Sequence, residues 1–183
     1  MGKLFIISGA SGVGKSTVLK KVFDLRSDLQ FSVSATTRPP RPGEVEGVHY
    51  YFVTKETFEQ MLDEDAFLEH SAHAANYYGT PKQQLEEKLN VGDVILDIEP
   101  NGAFQVLKKR EDAILIFVMP PSMEELTRRL TTRGDTSPEQ IQIRLARADW
   151  EISQSPQYHH IVVNNQVDTC AEEILKIIAN AAD

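Results

Sequence analysis

The apolar run Leu4-Phe5-Ile6-Ile7-Ser8 leads directly into Gly9-Ala10-Ser11-Gly12-Val13-Gly14-Lys15-Ser16, and a helical pattern follows from Thr17 to Leu25. The octet matches G-x-x-x-x-G-K-[ST] in the context that gives the motif its meaning, after a strand and opening a helix. Glycines let successive backbone N–H groups curl round anionic oxygens, and the helix turns its positive N-terminal end toward the same oxygens. Gly9 to Ser16, with Thr17, are therefore the expected nucleotide-binding residues. Lys15 would reach the β and γ phosphates, and Ser16 would give its hydroxyl to a Mg²⁺ ion that bridges them. The loop predicts a phosphate site without choosing a reaction, because hydrolases, switches and kinases all use it.

Outward from the loop, short apolar runs alternate with segments of helical spacing, the pattern of an α/β domain with a mainly parallel sheet. Strands are expected at Leu4 to Ser8, Val94 to Ile98, Ile114 to Met119 and His160 to Val163, with a strand-like Tyr50-Tyr51-Phe52-Val53. Capping boxes mark three helix starts: Thr80 with Gln83, Ser122 with Glu125, and Ser137 with Gln140, Pro81 and Pro138 falling at the first helical position. Two stretches break the alternation, the Pro-rich loop Thr36 to Gly47 and the turn Thr131 to Thr136 around Arg133-Gly134. Both are too short to bury a core, so they read as insertions in one domain.

The 183 residues carry 27 Asp plus Glu against 19 Lys plus Arg, a net charge of −8. Duplex-coating and anionic-membrane-binding surfaces need a basic face, so neither nucleic acid nor membrane is an expected partner. Phosphate chemistry must then use a local basic cluster. Cys170 is the single cysteine, which excludes an intrachain disulfide and points to a reducing cytoplasm. The apolar run at the amino terminus is shorter than a signal h-region or a membrane span.

Arg38 and Arg41 lie three residues apart on the Pro-stiffened loop and can aim two guanidinium forks at one phosphate, with Tyr50 and Tyr78 as hydroxyl donors. A solvated basic loop explains the same residues. In Val94-Ile95-Leu96-Asp97-Ile98-Glu99 the two acids are spaced by two and share a face of the strand end, where Asp97 could orient Mg²⁺ through water or brace the arginines. Leu126 to Gly134 and Gln142 to Arg147 read as two arginine-rich helices hinged at a glycine, a lid able to bring positive charge onto a transferring phosphoryl group and to exclude water. Arg128 and Arg147 also suit exposed i,i+3 or i,i+4 pairs with Glu125 and Glu151. His70-x-x-His73 is the nearest thing to a metal motif, and without cysteine partners it is not read as zinc. Trp150 is expected in the core or packed on the lid.

The loop at Gly9, Ser34-Ala35-Thr36-Thr37-Arg38-Pro39-Pro40-Arg41, Glu69 followed by Asn76-Tyr77-Tyr78-Gly79-Thr80, Leu96-Asp97-Ile98-Glu99-Pro100-Asn101-Gly102, the arginines from Arg129 to Arg144, and Ile161-Val162-Val163-Asn164-Asn165 complete a specific set. Through them the chain resembles, over essentially its whole length, a guanylate kinase of the ATP:GMP phosphotransferase family. The resemblance implies a P-loop NTP hydrolase-like, three-layer α/β domain over 1–183, with a parallel sheet in a core of 1–32, 93–126 and 153–183, an inserted GMP-binding region at 33–92 and a lid at 127–152. It implies transfer of the terminal phosphoryl of ATP to GMP with Mg²⁺, in purine metabolism and GMP recycling. Substrates would be ATP and GMP, with dGMP a second acceptor, and a homo-oligomer stays open.

By match, Arg38, Arg41, Tyr50 and Tyr78 resemble the clamp on the GMP phosphate, and Ser34, Glu69, Thr80 and Glu99 resemble the guanine contacts. Arg133 and Arg144 match the lid arginines that join Lys15 and Arg38 in catalysis, and Asn164 matches the adenine-side contact; whether Arg129 and Arg147 reach phosphate is left open. Glu99 stands where relatives often have Asp, and Asn165 where Asp is usual. The chemistry is coherent, since one carboxylate at Glu69 can accept both guanine N1–H and N2–H, whereas adenine N1 would leave it unpaired. Ser34 and Thr80 hydroxyls can donate to guanine O6. The family's peptide-binding scaffold domains are the rival reading, but they typically lack a working phosphate loop and sit in multidomain chains, whereas Lys15 and Ser16 are intact here. A phosphate-loop kinase for another acceptor is the third reading, decided by Glu69 and the two tyrosines.

Overall fold

The computed structural model describes residues 1–73, 75–132 and 137–181. In chain order it forms β1 (Leu4–Gly9), α1 (Lys15–Leu25), β2 (Gln30–Phe31), β3 (Ala35–Thr36), β4 (Tyr51–Phe52), α2 (Lys55–Asp63), β5 (Phe67–His73), β6 (Asn76–Pro81), α3 (Lys82–Leu89), β7 (Val94–Asp97), α4 (Pro100–Lys109), β8 (Ile114–Met119), α5 (Met123–Thr132), α6 (Pro138–Ser153), β9 (His160–Val163) and α7 (Val167–Ala181). Contacts divide the chain into two compact units, Met1–Leu4 with Leu29–Ala113 and Phe5–Asp28 with Ile114–Asp183.

In the second unit β1, β8 and β9 run parallel, with Phe5 opposite Ile114 and Val118 opposite Val162. Leu4 to Ile7 and Leu115 to Val118 are fully buried, which is why both strands read as continuous apolar runs: a parallel strand covered on both faces has no polar side. Helix α1 packs on α7 through Val18, Leu19 and Val22 against the buried positions Cys170, Ala171, Ile174 and Ile178. The same burial pushes the Cys170 thiol up to about 11, leaving it an inert apolar side chain. No described helix is long and apolar enough to cross a membrane.

The first unit holds the parallel pair β2 and β7, with Gln30 opposite Val94, and a separate four-stranded sheet ordered β4-β3-β6-β5. In that sheet β6 is antiparallel to β3 and β5. Helix α2 covers it by stacking Phe58 on Phe67 at 4.4 Å and on Tyr77 at 5.4 Å between ring centroids.

Several local expectations need correction. Thr80 caps no helix: α3 begins at Lys82 after an extended Pro81, with no side-chain cap, because Thr80 is a β6 residue paired opposite Glu69. Ser122 and Ser137 do cap, accepting the N–H of Glu125 at 3.1 Å and of Gln140 at 3.3 Å. Helix α1 starts at Lys15 rather than Thr17, since Gly14 carbonyl already accepts from Thr17 and Val18. The strand expected at Tyr50 to Val53 narrows to Tyr51–Phe52, and β7 ends at Asp97 rather than Ile98. Trp150 is 40% exposed and lies outside the core, because Ala148 and Glu151 occupy the inner face of α6.

Candidate active site

The phosphate loop turns on two glycines in left-handed backbone, Gly12 at φ 86° and Gly14 at φ 90°, a conformation that disfavours any side chain. At Gly12 a Cβ would also stand 2.5 Å from Leu130 Cδ2, so α5 closes directly on the loop. Val13 is buried and its N–H donates to Ala10 carbonyl at 3.0 Å. Ser16 and Thr17 are exposed in the first turn of α1, and Lys15 is half-buried.

Residues from distant elements fasten this loop. Asn164, 3% exposed just after β9, donates from Nδ2 to Val13 carbonyl at 2.8 Å, and its buried Oδ1 has no hydrogen-bond partner among the described residues. Arg129 donates to Val13 carbonyl at 3.2 Å, to Asn164 carbonyl at 3.1 Å and to Glu125 at 2.8 Å. Arg144 Nε lies 3.5 Å from Ser11 Oγ. Gly12, Gly14, Thr17, Arg129 and Asn164 line one cleft of about 510 Å³. Arg128 grips Glu125 and Arg147 pairs with Glu151 at 3.1 Å, the partners that their spacing predicts, but Glu151 is buried rather than on an exposed helix surface. Arg128, then Arg129, hold the Glu125 carboxyl down to about 2. Arg133 lies outside the described residues, as does Gly134.

In the first unit, Arg38 forks onto Glu44 with two bonds of 2.9 Å, and its guanidinium carbon stands 5.3 Å from the Tyr50 ring centroid. Tyr78 also hydrogen-bonds Arg38 and meets Tyr50 edge-on at 6.1 Å. The Arg38 fork, helped by the Arg41 N–H at 2.7 Å, holds Glu44 down to about 2, and Glu44 in turn keeps Arg38 firmly cationic. Burial, with the Tyr78 hydroxyl nearby, raises the Tyr50 pKa. The structure thus gathers Arg38, Arg41, Tyr50 and Tyr78 around one loop. Arg41 is exposed and Ser34 half-buried, Ser34 accepting the Tyr51 N–H through its carbonyl at 2.9 Å.

Glu69 is the buried acid of this unit, 4% exposed on β5, with Oε1 accepting the Thr80 hydroxyl at 2.5 Å. Desolvation raises its pKa, the Thr80 hydrogen bond opposes that, and the charge of Glu99 adds to it. Glu99 precedes the first residue of α4, and Asp97 ends β7. The first turn of α4 approaches Glu69 because Gly102 has no side chain: a Cβ there would meet Glu69 Oε2 at 2.8 Å. His70 and His73 sit on β5 opposite Gly79 and Asn76, and among the described residues no three His, Cys, Asp or Glu gather into a metal-holding group.

Sequence reasoning missed Glu44, Gly102 and the burial of Glu151. Only Glu44 left a signal, an acid six residues from Arg38 in the same stiff loop.

A parallel α/β architecture with a phosphate loop at the end of its first strand, together with an arginine–tyrosine cluster and a buried acid in the first unit, fits the class of nucleotide kinases. The guanylate kinase family model matches residues 1–181. The chain is 49% identical to a guanylate kinase of Thermus thermophilus over 97% of its own length and 80% of that protein, and 46% identical to one of Prochlorococcus marinus over 96% of both. It matches the crystal structure of guanylate kinase from Anaplasma phagocytophilum with a TM-score of 0.78 at 35% identity, covering 98% of this chain and 85% of that one. The chain belongs to the guanylate kinase family.

Proposed function

We infer that this protein transfers the γ-phosphoryl group of ATP to GMP, giving ADP and GDP. The observation that carries the reading is Glu69, an acid kept in a nearly dry site beside the Thr80 hydroxyl, where guanine N1–H and N2–H supply what a buried carboxylate needs. Ser34 and Glu99 complete the base contacts, Thr80 acts through Glu69, to which its single hydroxyl proton is already given rather than to guanine O6, and Arg38, Arg41, Tyr50 and Tyr78 hold the acceptor phosphate. On the donor side the loop from Gly9 to Thr17 cradles the triphosphate, Lys15 holds the transferred group, and the orphaned Asn164 Oδ1 accepts from the adenine amino group.

An oxygen of the ionised GMP phosphate attacks the γ-phosphorus in line, and the bond to the β–γ bridging oxygen breaks, with no covalent enzyme intermediate. Alignment and charge neutralisation by Lys15, Arg38, Arg144 and Arg133 supply the catalysis. The donor set suits Mg²⁺, a hard cation that uses few protein ligands and many phosphate and water oxygens: Ser16 offers an exposed hydroxyl at the helix start, with Asp97 acting through water. When bound, Mg²⁺ supplies neutralisation of the β and γ oxygens. Base and phosphate carry the acceptor contacts, so dGMP is a second acceptor, and a reducing cytoplasm suits the lone buried cysteine.

A coupled ADP-release assay with GMP, dGMP, AMP, CMP and UMP tests the reading. ADP should form with GMP and dGMP only. Equal turnover with AMP, or ADP release needing no acceptor, overturns it.

A further inference from the structure

Glu151 has no part in the roles assigned above, yet it is 3% exposed and lies in the last turn of α6. Both features are costly for an acid, since burial disfavours its charge and the negative end of a helix repels it. Its partners explain why it is kept. Oε2 accepts the backbone N–H of Ser11, in the phosphate loop, at 2.6 Å, and Oε1 accepts from Arg147 Nε at 3.1 Å. The same helix reaches Ser11 a second time through Arg144, at 3.5 Å from its hydroxyl. Residues 144, 147 and 151 share one helix face, so two side chains two turns apart fix α6 on a single loop residue.

An extra negative charge beside a triphosphate-binding loop would ordinarily weaken binding, but Arg147 neutralises this one and leaves a strong acceptor for the loop N–H. We propose that Glu151 is a positioning residue that sets the register of α6 on the phosphate loop and thereby places the Arg144 guanidinium for phosphoryl transfer. The proposal rests on the kinase reading, in which Arg144 acts on the transferred group. Preformed loop curvature and a fixed arginine lower the reorganisation needed in the transition state, so the effect belongs in kcat and in ATP affinity rather than in GMP binding.

Reach and charge separate under two substitutions of the full chain. Glu151→Gln keeps the length and one oxygen for the Ser11 N–H but loses the charge, whereas Glu151→Asp keeps the charge and is one methylene short. The measurements are kcat, KM for ATP and GMP, Tm, and Kd for a fluorescent ATP analogue without GMP. Glu151→Gln should stay close to the parental kcat, KM and analogue Kd, because its amide oxygen can turn to the Ser11 N–H while the Arg147 side chain, 36% exposed, swings from the amide N–H into water. Glu151→Asp should instead lose about 10- to 100-fold in kcat and bind the analogue more weakly, with KM for GMP unchanged. If the acid serves only its ion pair with Arg147, the order reverses, or Tm falls while kcat of the folded protein stays parental. Either result overturns the proposal. If Glu151→Asp does not fold, an impaired kcat in Glu151→Gln overturns it alone, and a parental one upholds it. A parental protein that makes no ADP from ATP and GMP would sink the kinase reading instead, and analogue Kd values would still rank the variants by their grip on the loop.

Discussion

Replacing Glu69 by Gln should abolish most of the preference for GMP over AMP while leaving the fold at least as stable. The carboxylate is 4% exposed and already takes the Thr80 hydroxyl on Oε1. Guanine N1–H and N2–H together need two acceptors on the same edge, and an amide presents its oxygen to only one of them. The other donor would face the amide N–H. One charge-assisted hydrogen bond is lost and one donor clash appears, each costing about 1–3 kcal/mol, and at about 1.4 kcal/mol per tenfold the sum lowers kcat/KM for GMP by about 30- to 20,000-fold. Coupled ADP release with GMP and AMP reads the ratio, and KM for ATP is an internal control because Lys15, Ser16 and the loop glycines lie in a different segment. Burial raises the Glu69 pKa, so at neutral pH its ionised form is a burden on the fold that the amide removes. The Tm should hold or rise. If Glu69→Gln keeps the parental GMP to AMP ratio, guanine is read by other groups, with Glu99 and Ser34 next to test.

Lys15→Met should lower kcat by at least about 10²-fold with circular dichroism unchanged, and near-normal turnover would remove Lys15 from the transferred phosphate. On the acid side, Glu69 must be ionised to accept guanine, so GMP kcat/KM should rise as pH climbs through its raised pKa; the GMP phosphate itself titrates near about pH 6, and only the Glu69 limb should vanish in Glu69→Gln. Fold stability runs the opposite way for this group: its folded pKa lies above the ordinary 4.5, so its contribution falls as pH rises between the two values, and loss of that falling component in Glu69→Gln, measured as the difference from the parent, checks the sign. Phe58→Ala removes a fully buried ring stacked on Phe67 and Tyr77 and should cost about 3–5 kcal/mol in denaturant unfolding, a value below about 1 showing that this sheet contributes little to the cooperative unit.

What could be read from the sequence was local. Gly12, Gly14 and Lys15 carry their meaning within eight residues, and the buried parallel strands announce themselves as unbroken apolar runs. Thr80 was legible as a cap for the same reason and was misread for it: Gln83 stands three residues on, but Glu69 stands across a strand pair, and the tertiary partner took the hydroxyl. Strands β5 and β6 were not legible because Glu69, His70, His73 and Asn76 break the apolar alternation that marks a half-buried strand. The i,i+4 rule found the Arg147 to Glu151 pair and missed the Ser11 N–H, 140 positions away, that explains its burial.

The two buried acids show what sequence spacing cannot separate. Glu151 divides its oxygens between a loop N–H and a guanidinium, so its charge is matched within the fold, as suits a residue that holds other groups in place. Glu69 meets only neutral donors from Thr80 at close range, is pushed further by Glu99, and gains only a weaker opposing pull from Lys109. Its charge is under-compensated until something brings donors to it. An adenine held in the pose proposed for guanine would present an unprotonated N1 and a C2–H to the carboxylate, whereas a guanine brings N1–H and N2–H there. In the proposed guanine contact, the cost that burial imposes on the Glu69 charge would be offset by one base and deepened by the other, turning a cost to the fold into discrimination between substrates.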